Sequence, residues 1–360
     1  MQDKLPSLFG SLREPVLAAS SGEIIYRNAA ALQIPGLATD SLRAILPEYA
    51  LGNRSDAFLT ETELASSRWM VSATELDGLT VYTFIAENPD ELEPSSDILA
   101  SAGVALREPI SVLKFAADYL LPIAEASGDA KSREYAAMMY RGIFGIMRAL
   151  NRLDAFVYKS AAPAVSEHTH FDLVRICRDL TRTVAQTLDC PHGRLTFTSN
   201  DRARMFFGDR RLIERMVLCL IGNALVFTTD VAYIEVSVRE AGGRAVISVS
   251  DDGPGISNDA RFDVWKRYGA RRELADTKRG AGFGLSVVQS IAKLHGGGAL
   301  LESRPGEGTR VVVSLPVQSE ELEAIYDAAE RYSTGLSMTE ILTELVELVP
   351  PDRFSQRYLD

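Results

Sequence analysis

Four short segments in the second half of this chain carry residue types that could grip a nucleotide. Asn223-Ala224-Leu225-Val226-Phe227-Thr228 ends a helical stretch that starts near Arg211. Asp251-Asp252-Gly253-Pro254-Gly255-Ile256 comes after an alternating run, Ala245 to Ser250, that reads as a strand. A carboxylate at a strand end can accept the exocyclic amine of adenine. Gly253 and Gly255 would let backbone approach the base closely. Gly280-Ala281-Gly282-Phe283-Gly284-Leu285-Ser286 opens a helix predicted to reach Leu294 and to close on His295-Gly296-Gly297. Glycines before a helix N-terminus leave amide donors free for phosphate oxygens. Gly306-Glu307-Gly308-Thr309 then leads into a last strand. Each segment alone is a modest signal. Their order is specific.

The stretch between the second and third segments, Ser257 to Arg279, is basic, with Lys266, Arg267, Arg271, Arg272, Lys278 and Arg279. It sits inside a chain of formal net charge -11. Positive charge beside a phosphate loop suits a nucleotide polyphosphate. The overall negative charge argues against general nucleic-acid binding. Cys177, Cys190 and Cys219 are few and widely spaced, which fits neither a disulfide framework nor a zinc site. The first residues lack a basic region followed by an apolar run. No stretch approaches the roughly 18 uninterrupted apolar residues of a membrane span. A cytoplasmic protein without a membrane span is the expectation.

A chain of 360 residues suggests two or three domains. Pro15 to Ala19, the Ser20-to-Glu23 turn and Ile24 to Tyr26 read as a hairpin, with Asn28 capping a short helix. Ala57 to Leu64, Arg68 to Glu75 and Leu79 to Ala86 read as strands, the last two joined at Asp77-Gly78. Asn88 to Ser96 is a linker by composition, and Ser96 or Asp97 can cap a helix beginning at Ile98. Apolar residues recur at helical spacing from Ile98 to Leu121 and again from Lys131 to Lys159, with Ser127-Gly128-Asp129 as the turn. Two amphipathic helices so connected make an antiparallel hairpin. One hairpin cannot enclose a core, so a dimeric four-helix bundle is predicted. Residues 319–360 read as an acidic tail of two short helices, divided at Gly335 and ended by Pro350-Pro351.

The order and spacing of the four segments resemble the Bergerat-fold ATP domain of sensor histidine kinases. Val104-Ala105-Leu106-Arg107-Glu108-Pro109-Ile110 is similar to that family's His-Glu-Leu-Arg-Thr-Pro-Leu acceptor motif. Leu, Arg and Pro are kept; Val104 stands where the phosphate-accepting histidine would be. Residues 1–90 resemble a PAS sensor domain. The fold class implied is multidomain α+β. It comprises a PAS-like domain (1–90), a helical hairpin for dimerisation (97–160), an α/β-sandwich ATP domain (168–316) and the acidic tail (319–360).

The resemblance implies ATP with Mg2+ as cofactor. It assigns nucleotide binding to Asn223, Asp251, Gly253, Gly255, Lys278, Arg279, Gly280, Gly282, Gly284, Leu285 and Thr309, with Asn223 on the metal. It implies a homodimer whose partner is a histidine kinase or a response regulator. Two positions depart from the pattern. Cys219 occupies the slot of a second Asn or an acidic residue, and Val226 that of a Lys or Arg reaching a phosphate. Cys219 neither polarises an imidazole nor offers Mg2+ an oxygen.

No histidine lies between Met1 and Glu167. His168 and His170 fall in the connector after the hairpin, His192 follows Cys190-Pro191, and His295 reads as structural. The resemblance as a whole points to a regulatory pseudokinase. The alternatives are an active kinase that phosphorylates another residue or a partner in trans, and an ATP domain retained for structure alone.

Overall fold

Short alternating strands and turn residues build the first third of the protein. The computed structural model describes residues 5–51, 57–65, 67–76, 78–86, 96–157, 168–191, 193–228, 232–257, 284–317, 336–350 and 353–354. A one-turn helix, α1 (Leu5–Phe9), precedes the hairpin of β1 (Val16–Ser20) and β2 (Glu23–Arg27). Ser21 and Gly22 turn it with positive φ angles. Asn28 is buried, and its Oδ1 accepts from Ala31 N at 2.9 Å and from Val16 N at 3.0 Å. One side chain thus caps α2 (Ala29–Leu32) and ties it to β1. After α3 (Glu48–Leu51) come β3 (Phe58–Leu64), β4 (Ser67–Leu76) and β5 (Leu79–Ala86). Gly78 takes a positive φ in the last turn; Asp77 lies outside the described residues.

The two long helices are α4 (Ser96–Ala126) and α5 (Ala130–Val157). α4 runs five residues past the predicted end at Leu121, carrying Pro109 and Pro122 inside it. Burial of Leu121 on that turn continues the helix where proline alone would favour a stop. Asp129 caps α5, accepting from Ser132 N at 3.0 Å. The predicted apolar stripes divide. Ile110, Ala117 and Leu121 pack with Ala136, Tyr140 and Ile143, whereas Val104, Leu106, Leu113, Leu120, Tyr135, Met138 and Ile146 are exposed.

Next come β6 (His168–Asp172), α6 (Leu173–Thr187), β7 (Leu195–Ser199), β8 (Met205–Asp209) and α7 (Arg210–Phe227). They are followed by β9 (Ile234–Ala241), β10 (Arg244–Asp251), α8 (Gly284–Leu294), β11 (Gly298–Ser303), β12 (Thr309–Pro316) and α9 (Met338–Glu344). α6, α7 and α8 lie on the sheet that contains β7, β9, β10 and β11. Valines and isoleucines of β9 and β10 fill the space between.

The N-terminal strands and the later ones form a single ten-stranded sheet, in the order β2-β1-β5-β4-β3-β11-β12-β10-β9-β7. The junction is antiparallel, Leu301 opposite Leu59 and Glu302 opposite Phe58. It covers what would otherwise be an open edge on β11. Leu59 joins the core of the later half and Leu300 that of the first. An ion pair between Glu61 and Lys293 flanks the junction. No described helix is long and apolar enough to cross a membrane.

Candidate nucleotide site

Three of the four segments converge around the ends of α7, β10 and α8. Asp209 begins α7 by accepting from Leu212 N, and the helix carries Asn223 in its last turns. Gly284 begins α8 directly against that side chain. A Cβ there would stand 2.9 Å from both Nδ2 and Oδ1 of Asn223. Glycine at 284 is therefore what lets the Asn223 amide lie beside the helix start, where backbone N–H groups have no partner within the helix.

Asp251 ends β10. Its Oδ1 accepts from Gly253 N at 2.9 Å, and the Thr309 amide on neighbouring β12 donates to the same carboxyl group. Burial raises its pKa above the usual carboxylate value, and those two hydrogen bonds offset the effect in part. A half-buried carboxylate with a free lone pair is a suitable acceptor for an adenine amine. Asp252 points elsewhere and accepts from Tyr233 N at 2.7 Å.

The glycines have packing reasons of their own. Gly255 has φ +68° and Gly308 φ +85°. A Cβ on Gly255 would fall 1.9 Å from the Arg304 carbonyl oxygen, and one on Gly308 1.9 Å from that of Asp251. No side chain fits either place. Ser303, which no sequence pattern marks, locks this corner. Its hydroxyl donates to Gly308 O at 2.9 Å, accepts from Ile256 N at 2.8 Å and lies 3.0 Å from Thr309 Oγ1. Thr309 is thus held by Ser303 and by its pairing with Asp251. Leu285 packs against the core beneath α8. Lys278, Arg279, Gly280 and Gly282 lie outside the described residues.

Cys219, one turn before Asn223, is buried, and its thiol donates to Glu344 Oε1 at 3.1 Å. That carboxylate arrives from α9, in the segment expected to be a tail. The half-buried Val226 adds no charge to the helix end. Val104 is 66% exposed on α4. His295 is structural: its Nε2 accepts from Asp209 N at 3.0 Å, its Nδ1 donates to Ile291 O at 2.8 Å, and burial lowers its pKa.

The donor set fits an adenine nucleotide at its base end, through Asp251. Toward a metal, Asn223 offers one amide oxygen. Among the described residues no group of three or more His, Cys, Asp or Glu gathers that could hold an ion.

Residues 208–319 match the family of histidine kinase-, DNA gyrase B- and HSP90-like ATPases. The sensor histidine kinase ZraS of Escherichia coli O157:H7 is 29% identical over 234 residues, covering 63% of this chain and 49% of ZraS. The histidine protein kinase DivJ of Caulobacter vibrioides is 40% identical over 109 residues, 30% of this chain and 18% of DivJ. Residues 208–319 thus carry this ATPase domain, and the chain is similar to sensor histidine kinases over a longer stretch. It spans about half the length of the ZraS proteins it matches. Among solved structures, full-length ShkA in complex with AMPPNP aligns with a TM-score of 0.49 at 19% identity, over 62% of this chain and 46% of ShkA. The histidine kinase ThkA in complex with the response regulator TrrA aligns at 0.40 and 16% identity, over 87% of this chain and 98% of ThkA. The region matched to the ATPase family begins at Gly208, just before α7, and takes in Asn223, Asp251, Gly284 and Thr309.

Proposed function

We propose that this chain is a regulatory pseudokinase of the histidine kinase family in two-component signalling. It binds ATP but transfers no phosphate to the usual acceptor position. The observation that carries the reading is Val104. An isopropyl group has no nucleophilic atom, and no histidine exists anywhere before His168. Adenine is held by Asp251, with Gly253 and Gly255 giving the base access. The amides at the start of α8 receive the phosphates, a role the family resemblance also gives to Lys278 and Arg279. Asn223 would hold Mg2+ through its amide oxygen, and the ion would offset phosphate charge. ATP supplies a transferable phosphoryl group when bound; the chain's own groups at Cys219 and Val226 neither activate an acceptor nor neutralise phosphate charge. The phosphatase chemistry of the family is also unsupported, since neither Ala105 nor Glu108 offers the Thr or Asn that orients a water there.

The protein works as a homodimer in the cytoplasm, its PAS-like residues 1–90 reading a cue and a histidine kinase or response regulator acting as partner. The exposed apolar face of the hairpin supports a second copy as the occupant. Phe115, Tyr119, Tyr135 and Val104 are each more than 65% exposed, on both helices of one face pattern. Burying a side chain of this size is worth about 1.5–3 kcal/mol.

Calorimetry with ATP and Mg2+ on the full chain tests the nucleotide, and light scattering tests the dimer. Binding at micromolar to millimolar concentration and a mass twice that of the chain are expected. No heat at millimolar ATP would favour an ATP domain retained for structure alone.

A further inference from the structure

Residues 336–350 and 353–354 pack in the groove between α5 of the hairpin and α7 of the ATP domain. Ser337 and Glu340 form a reciprocal capping box that starts α9. Along α7 the segment makes contacts about one turn apart. Glu214 accepts from Leu336 N at 3.1 Å, Arg211 pairs with Glu340, and Cys219 donates to Glu344. On α5, Arg148 pairs with Glu347, and Arg141 donates to Val349 O at 3.4 Å. Between these polar edges, Leu342, Leu345 and Val349 are all but fully buried. Leu345 reaches Gly222, where an added Cβ would meet its methyl group at 3.3 Å.

An α-helix of seven residues does not hold itself in water. Its order comes from the groove. The segment is tethered, so its docking is an intramolecular equilibrium with a local concentration in the millimolar range. Docked, it touches both α5 and α7. It therefore holds the ATP domain against the hairpin in one orientation. Its polar edges are complementary: the segment brings Glu340 and Glu347, and the groove brings Arg211 and Arg148.

The geometry points to residues 336–350 as an intramolecular clamp that fixes the ATP domain on the hairpin and is displaced when that domain must move. The clamp does not depend on nucleotide binding; it would operate in a chain that binds none. A partner could open it by presenting an acidic amphipathic helix to the same groove.

The test uses the full chain with spin labels on two exposed positions, Glu134→Cys on α5 and Arg239→Cys on β9, in a Cys190→Ser background. Hydrogen exchange and label distances are measured before and after Leu345→Glu, which puts a charge into the apolar groove. The milder Glu340→Lys opposes Arg211, and Arg211→Glu added to it restores the pair. The account expects the amides of residues 338–349 to exchange about tenfold faster or more once released. The distance distribution should broaden with them, and both changes should reverse in part in the swapped pair, which restores the ion pair but not the capping box. Unchanged exchange across β10 reports intact folding. Release of the segment with an unchanged label distance overturns the clamp. So does a segment that stays protected in both Leu345→Glu and Glu340→Lys.

Discussion

The two ends of the candidate site differ in what their residues are needed for. At the β10 end, Asp251 gathers two backbone amides, and Gly255 and Gly308 stand where no Cβ fits. At the α7 end, Cys219 turns its thiol to Glu344 and Val226 adds no charge. The first end bears family-like residues that also hold the fold; the second bears departures at positions whose main use would be chemical. Glycine spacing is therefore partly a folding signal. By itself the spacing of the four segments identifies the architecture with more force than it identifies catalysis.

The largest effect expected from this contrast is on stability. Gly255→Ala drives a methyl group into the Arg304 carbonyl at a positive φ, and should lose about 3 kcal/mol or more. Gly284→Ala meets only the Asn223 amide, the mobile end of a side chain, and should shift stability by about 1 kcal/mol or less. It should nonetheless weaken nucleotide binding by displacing Asn223. Thermal melts of the two variants compare them directly, and equal losses would contradict the packing account.

Next in size, Asp251→Asn should weaken ATP binding about tenfold or more, the scale of one charged hydrogen bond of roughly 1.5–3 kcal/mol. Asn keeps one acceptor oxygen where two amides and a base amine need to be served. Fluorescence titration measures this, and unchanged affinity would remove Asp251 from the site.

A smaller effect concerns pH. The pKa of Asp251 is raised by burial, so its carboxylate begins to protonate at a higher pH than an exposed aspartate, whose ordinary value is about 3.9. Protonation removes the acceptor. Affinity should thus be full at neutral pH and fall on acidification, earlier than an ordinary aspartate would predict. In Asp251→Asn the profile should be flat over the same range. A wild-type profile as flat as the variant's would show that this carboxyl group does not meet the base.

Much of the fold was legible for local reasons. The Ser21-Gly22 turn, the Asn28 cap, the Ser127-Gly128-Asp129 connection and the start of α8 each depend on residues a few positions apart. The β3–β11 junction was not legible, because backbone groups make it and Leu59 and Leu301 are far apart in sequence. Helical periodicity also could not say which apolar residues of α4 and α5 face the partner helix and which face outward. At the candidate site, Asn223, Asp251 and Gly284 were singled out by the order and spacing of the segments that carry them. Ser303 and Glu344 were missed, since a lone serine in a strand and one glutamate among many carry no pattern. Residues 319–360 read as an acidic tail of two short helices, and their composition did not show that Leu342, Leu345 and Phe354 lie in the core. The helical period around Ile341 was the available signal.

The central claim is that the chain takes up nucleotide and passes no phosphate to position 104. Incubating the full chain with ATP labelled on its terminal phosphate, and assaying acid-labile protein phosphate, tests it most directly. The wild type should incorporate none. Val104→His alone should gain little, and Val104→His with Cys219→Asn and Val226→Lys should gain more. Ready incorporation by the wild type would contradict the account, and the labelled residue would then identify the true acceptor.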